Sequence, residues 1–168
     1  HGPMPVRRSK REEWLPFQEA FYRSCADAGF AERWDLNHPD SLGVGPIPMN
    51  NPNGIRMSTA LTYINPNRHR LNLTVRANVL ATRLLFDGRR AIGVEVESGG
   101  QGCTLAAEEI VLSTGAIKSA QLLMLSGVGP ADHLGSLGIK VLQDLPGVGQ
   151  NMKEHPSIPV RLRVKEGV

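Results

Sequence analysis

Apolar residues recur at steps of three and four between residues 12 and 28, where Trp14, Phe17, Phe21 and Cys25 share one stripe. That spacing predicts a helix with a single apolar face, and Gly29 is placed to cap its C-terminus. The stripe is expected to be core rather than a cofactor-lining box, with Cys25 a buried thiol. Residues 35–57 lose the period. Asn, Asp, Gly and Pro punctuate them, as in Asn50-Asn51-Pro52-Asn53-Gly54, which predicts a long ordered loop or short strand pieces. Ser58 offers an N-cap to a short helix over 58–65, which Asn65-Pro66 should end.

The period then changes from helical to alternating. Leu71-Asn72-Leu73-Thr74-Val75 reads as one strand and Val79 to Phe86 as the next. Asp87-Gly88 predicts a tight turn, and Arg90 to Glu97 the returning strand, with Ile92, Val94 and Val96 on one face. Gly99-Gly100 turns the chain again into a strand over Cys103 to Ala107. Glu108 to Ser113 carries a continuous apolar core, Ile110-Val111-Leu112, which predicts an interior parallel strand covered on both faces. A short antiparallel meander feeding a parallel sheet is the expected arrangement.

A helix over 117–125 follows, apolar around almost its whole girth through Ile117, Ala120, Leu122, Leu123, Met124 and Leu125. Such a helix needs partners on several sides. A second short helix is expected from Ala131 to Leu137, a strand over Ile139 to Leu142, and a rigid turn at Leu145-Pro146-Gly147-Val148-Gly149. The chain closes on an alternating run, Ile158 to Lys165. A strand needs a neighbour for its backbone groups, so this run is expected either to pair with another chain or to belong to a longer polypeptide, the second being favoured.

Composition narrows the class. With 168 residues, 40% of them hydrophobic and 21% charged, the chain can bury a real core, and its 18 Gly and 12 Pro fit a loop-rich α/β or α+β protein. A net charge of +3 is too small to imply nucleic acid. The Arg7-Arg8-Ser9-Lys10-Arg11 cluster runs straight into Glu12-Glu13 and reads as a solvated loop and helix start. No apolar stretch is long enough for a membrane span. The two cysteines, Cys25 and Cys103, have neither metal nor redox spacing.

Candidate chemistry is sparse. The five histidines (His1, His38, His69, His133 and His155) show no paired spacing, so no metal site is expected. Ser119 and Ser126 are not in a Gly-x-Ser-x-Gly elbow, and no carboxylate has a context that marks a general acid or base. His155 follows a Gly-x-Gly turn and precedes Pro156. It either lines a cavity or makes structural hydrogen bonds, and the residues alone favour the latter. Gly115, between an apolar strand and a helix, leaves two readings open. The glycine either serves packing alone, or it lets a ligand phosphate approach the helix N-terminus. Gly127-x-Gly129 follows a helix and is not a dinucleotide fingerprint.

Taken together, four motifs in order resemble the glucose–methanol–choline (GMC) family of flavin-dependent oxidoreductases over nearly the whole chain. The strongest is Ser113-Thr114-Gly115-Ala116-Ile117-x-Ser119-Ala120-Gln121-Leu122-Leu123-Met124-Leu125-Ser126-Gly127-Val128-Gly129-Pro130, with Ala120 where Pro is usual. Asn72-Leu73-Thr74-Val75 with Leu85-Phe86-Asp87-Gly88-x-Arg90-Ala91-x-Gly93-Val94-x-Val96 supports it. So do Gly54-x-Arg56-x-Ser58-x-Ala60-x-x-Tyr63 and Asp144-Leu145-Pro146-Gly147-Val148-Gly149-Gln150-Asn151-Met152-x-x-His155-Pro156. In the last, Met152 replaces a common Leu, and Lys153-Glu154 replaces a polar–Asp pair.

The resemblance implies a mixed α/β fold: part of a Rossmann-like FAD-binding domain interleaved with part of an antiparallel-sheet substrate domain. On that scheme residues 1–70 are a connecting and substrate-domain segment, 71–143 belong to the FAD-binding domain, and 144–168 form a cavity-lining turn and the start of the substrate-domain sheet. FAD is the implied cofactor and a small-molecule alcohol the implied substrate, oxidised by hydride transfer to flavin N5 with electrons passed to oxygen or another acceptor. Val79 would touch the adenine end through its backbone, Thr114, Gly115 and Ala116 would lie near the dinucleotide, and Asn151 to His155 would approach the flavin cavity. The family's N-terminal fingerprint and late catalytic His have no counterpart in the chain. It is therefore expected to be a middle segment completed by companion segments of the same enzyme, inactive alone and with no catalytic residue of its own. The alternatives are a non-catalytic flavin-fold structural or binding module, and lyase or light-driven flavin chemistry on the same scaffold.

Overall fold

The computed structural model describes residues 2–159 together with Arg161 and Arg163. His1 and half of the terminal strand expected over Ile158 to Lys165 lie outside the described residues. The chain divides into two compact units, His1–Val75 and Arg76–Val168.

The first unit is built from loops held by isolated backbone bridges around one helix. Arg7 and Met49 exchange both backbone hydrogen bonds at 2.8 Å, and Glu32 bridges Val44 in parallel. The expected helix over 12–28 forms in two pieces, a 3-10 turn at Arg11–Glu13 and helix α1 at Pro16–Asp27. Pro16 explains the break: it disfavours helical conformation at Leu15 and suits the first helical position. Gly29 leaves the helix at φ +91, as a C-terminal cap requires.

Three expectations for this unit need correction. Phe17 and Phe21 of the apolar stripe are 57% and 59% exposed, Cys25 is only half-buried, and the buried residue of α1 is Tyr22. Phe17 and Phe21 instead wall an open apolar groove of about 360 Å³ together with Trp14, Tyr22, Ile47 and Met49. The helix after Ser58 is a π-turn at Ala60–Ile64 that ends at Asn65 as expected, but Asn65-Pro66 then starts a 3-10 turn at Asn65–Asn67. A tighter turn accepts proline near its start because no donor is needed there. Leu71 to Val75 forms no strand; Leu71 is fully exposed and the segment pairs with nothing among the described residues.

The second unit opens with the expected meander. Strands β1 (Leu80–Asp87), β2 (Arg90–Ser98) and β3 (Gln101–Ala106) form an antiparallel sheet in that order. Gly99 and Gly100, at φ +58 and +77, make the two-residue loop between β2 and β3, a turn that demands left-handed backbone at both positions. The register slips once on each side of the β1–β2 ladder, skipping Thr82 and Ile92. The second slip makes a β-bulge, so Ile92 is 43% exposed while Val96 is buried, and the expected common face of Ile92, Val94 and Val96 is interrupted.

Helix α2 (Gly115–Leu125) packs against β1, joined by Ser126. Its hydroxyl accepts the Leu84 N–H at 2.8 Å and donates to the Leu122 carbonyl. Past a two-residue strand β4 (Val128–Gly129) comes helix α3 (Ala131–Ser136), whose Leu134 is completely buried. Strand β5 (Gln143–Asp144) lies parallel to β4. Asp144 also accepts the Ala131 N–H at 3.0 Å, capping α3 from across the fold. A Cβ at Gly127 would meet the Lys140 carbonyl at 2.5 Å, which explains the Gly-x-Gly-Pro corner.

Again the differences concern partnership. Glu108 to Ser113 is not a strand, and Val111 is 77% exposed. A parallel strand exists only through neighbours, and among the described residues none lies beside it. Of α2's girth Leu122 is buried, whereas Ile117 and Leu125 are 67% and 47% exposed. The strand expected over Ile139 to Leu142 is displaced to β5, because the Gly127 carbonyl takes the N–H groups of Leu142 and Gln143 and sets the pairing there.

Candidate cofactor site

The six candidate residues fall on three segments of the second unit. Val79 immediately precedes β1 and is half-buried. Thr114, Gly115 and Ala116 form the exposed turn into α2. Asn151 and His155 are exposed on the segment after the Leu145–Gly149 turn. The structure gathers Thr114, Gly115 and Ala116 on one turn. It also packs the third segment's leading turn onto α2, where a Cβ at Gly149 would lie 3.4 Å from Met124 Cε and 3.9 Å from Ala120 Cβ.

At the α2 turn, Gly115 has φ +88, a conformation that side chains resist. A Cβ there would meet nothing within 4 Å, so the turn is open on its outer side. No side chain caps the first N–H groups of α2; the Thr114 hydroxyl instead pairs with the Ser119 hydroxyl at 2.9 Å. Free donors at the positive end of a helix, beside a glycine that leaves room, suit an anionic group such as a dinucleotide phosphate.

Val79 supplies the other donor. Among the described residues neither its N–H nor its C=O has a hydrogen-bond partner. Two neighbours that sequence reasoning missed control it. Asn78 adopts a left-handed φ of +56, and its carbonyl accepts a 3.0 Å hydrogen bond from the Ser98 hydroxyl. Asn just before a strand is a usable signal, since Asn tolerates that region better than most residues. Nothing local marks Ser98, which lies 20 residues on. Asn151 is also left-handed, at φ +57. The His155 N–H donates to Glu154 Oε1 at 2.9 Å.

Titration is most perturbed in the first unit, within a structural ion-pair cluster. Glu19 ionises at about 2, held there first by its hydrogen bond from Arg11 and then by that from Arg23. The Arg11 guanidinium, raised in turn by Glu19, lies 4.8 Å from the Tyr22 ring centre and 5.8 Å from that of Trp14. Burial, then Glu32, pushes the Tyr22 phenol up. Among the described residues no three His, Cys, Asp or Glu side chains gather as metal ligands, and no helix is long and apolar enough to cross a membrane.

Comparison with known proteins identifies the family of a chain with this antiparallel meander and glycine-opened helix start. The family described as GMC oxidoreductase matches residues 1–157, and the chain belongs to that family. It is 43% identical over 161 residues to the mitochondrial choline dehydrogenase of Homo sapiens, covering 95% of this chain and 27% of that protein. It is 40% identical over 157 residues to a GMC-type oxidoreductase of Rhodococcus erythropolis, covering 94% and 32%. Among solved structures it resembles pyridoxine 4-oxidase from Mesorbium loti, with a TM-score of 0.82 and 32% identity over 86% of this chain and 28% of that one. An FAD-dependent oxidoreductase from Chaetomium thermophilum superposes with a TM-score of 0.80 at 27% identity, covering 88% and 26%. The chain thus spans under a third of the length of these relatives. Its fold is the mixed α/β fold of the family, and FAD is the family's cofactor.

Proposed function

We propose that this chain is a middle section of an FAD-dependent enzyme that oxidises a small alcohol, completed by companion segments of the same polypeptide. Bound FAD would supply the hydride acceptor, at flavin N5, and the route for the electrons to oxygen or another acceptor. The chain's own contribution is binding and placement. The N–H groups at the start of α2, opened by Gly115 and flanked by Thr114 and Ala116, hold the dinucleotide, and the Val79 backbone meets its adenine end. Asn151 and His155 approach the cavity around the flavin. The observation that carries this reading is the pair of unpartnered donor groups, at Val79 and at the α2 turn, within the residues that match the family.

Residues 1–70 are assigned to the substrate-domain side, 71–143 to the FAD-binding domain, and 144–168 to the cavity turn and the start of the substrate-domain sheet. The division into units at Val75 and Arg76 supports the first boundary, within a few residues. The test is anaerobic titration of the full-length protein with an alcohol panel that includes choline and pyridoxine, the compounds in its relatives' names. Bleaching of the flavin band by at least one alcohol is expected, while the 168-residue segment alone carries no flavin and shows no reduction. A flavin that no alcohol reduces would favour lyase or light-driven chemistry, and flavin retained by the segment alone would contradict the incomplete-site reading.

A further inference from the structure

Resting on the reading of Val79 as an adenine contact, we infer that Ser98 is a positioning residue for the adenine half of the cofactor, acting through the Asn78–Val79 peptide. The Ser98 hydroxyl donates to the Asn78 carbonyl oxygen at 3.0 Å. That oxygen and the Val79 N–H belong to one planar trans peptide, in which C=O and N–H point in opposite directions. Holding the oxygen therefore aims the N–H away from Ser98. No group among the described residues takes that proton.

The backbone around the latch is set to need it. The ladder between β1 and β2 reaches only as far as Leu80 opposite Glu97, so the peptide before Val79 lies one step beyond the last backbone rung. Asn78 turns the chain there through a left-handed φ of +56, and a left-handed residue outside a ladder has no regular bond to keep its peptide plane in one orientation. Ser98 stands one residue beyond Glu97 on the opposite strand, the last residue of β2 before Gly99 and Gly100 reverse the chain. The tight turn fixes the Ser98 backbone, and the hydroxyl transmits that rigidity 20 residues back to the peptide that presents the donor. The latch adds no contact with the cofactor. It lowers the cost of ordering a donor that would otherwise swing.

The test uses the full-length apoprotein reconstituted with FAD or with FMN, which shares the flavin ring, ribityl chain and one phosphate but lacks the adenosine half. Wild-type protein is expected to bind FAD more tightly than FMN. Ser98→Ala is expected to weaken FAD by about three- to tenfold, as loss of one hydrogen bond does, and to leave FMN unchanged. Ser98→Thr, which keeps the hydroxyl, is expected to restore FAD affinity. Equal weakening of both flavins by Ser98→Ala, or no weakening of either, overturns the latch while the wild-type preference for FAD keeps the adenine reading intact. A wild-type protein that binds both flavins equally overturns the adenine reading and the latch with it.

Discussion

Ser126 is the residue on which the second unit turns. Its hydroxyl is one of few polar groups in the core, and it accepts the buried Leu84 N–H while donating back to Leu122. A single oxygen thus joins strand β1 to the last turn of α2, the two elements that flank the candidate site. Ser126→Ala removes the acceptor and strands a buried donor, which costs about 1–3 kcal/mol. A lower unfolding midpoint in urea, with an unchanged denaturant slope, is the expected outcome. An unchanged midpoint would mean that water or another group replaces the hydroxyl without loss. Single residues of this kind were only partly legible in advance. Gly115 stands out in sequence as a glycine between an apolar run and a helix, a place that serves either packing or the approach of a ligand. Ser126, Ser98 and Asn78 act through carbonyls and amides brought close by folding, and no periodicity records that.

Among elements, legibility followed the range of the interaction. The meander was readable because its turns are local: Gly99 and Gly100 supply the two left-handed positions a tight hairpin needs, and alternation marks the flanking strands. Helix α2 was readable from the apolar residues, Ile117 to Leu125, that surround most of its girth. Leu71 to Val75 and Glu108 to Ser113 were read as strands and are not, because alternation and apolar runs record which faces want burial, whereas a strand exists only beside a partner. The helix stripe failed for a related reason, since Phe17 and Phe21 find no packing partner within their unit. Besides the buried Tyr22, α1 carries a cluster of ion pairs. Glu19 takes hydrogen bonds from Arg11 on the preceding turn and from Arg23 one turn further along. It ionises at about 2 when folded against an ordinary value of 4.5, so its stabilisation is fully present above pH 4.5 and is lost as pH falls through about 2. Glu19→Gln is therefore expected to flatten the acid limb of a plot of unfolding midpoint against pH. An acid limb identical in the variant would remove Glu19 from the account.

For the whole molecule, the exposed apolar positions and the unpartnered donors have one explanation. The chain covers under a third of its relatives' length, and on the proposed reading the exposed Val111, Ile117 and Phe21 pack against companion segments. The N–H groups at Val79 and at the start of α2 differ from these because they are polar, and on the proposed reading they meet the cofactor. Amide hydrogen exchange on the full-length protein, with and without FAD, measures that distinction most directly. Protection on FAD binding is expected at Val79 and at residues 115–118, with little change along the β3 edge at Gln101–Ala106. Full-length protein that binds FAD while those amides exchange at the same rate in both states would contradict the account.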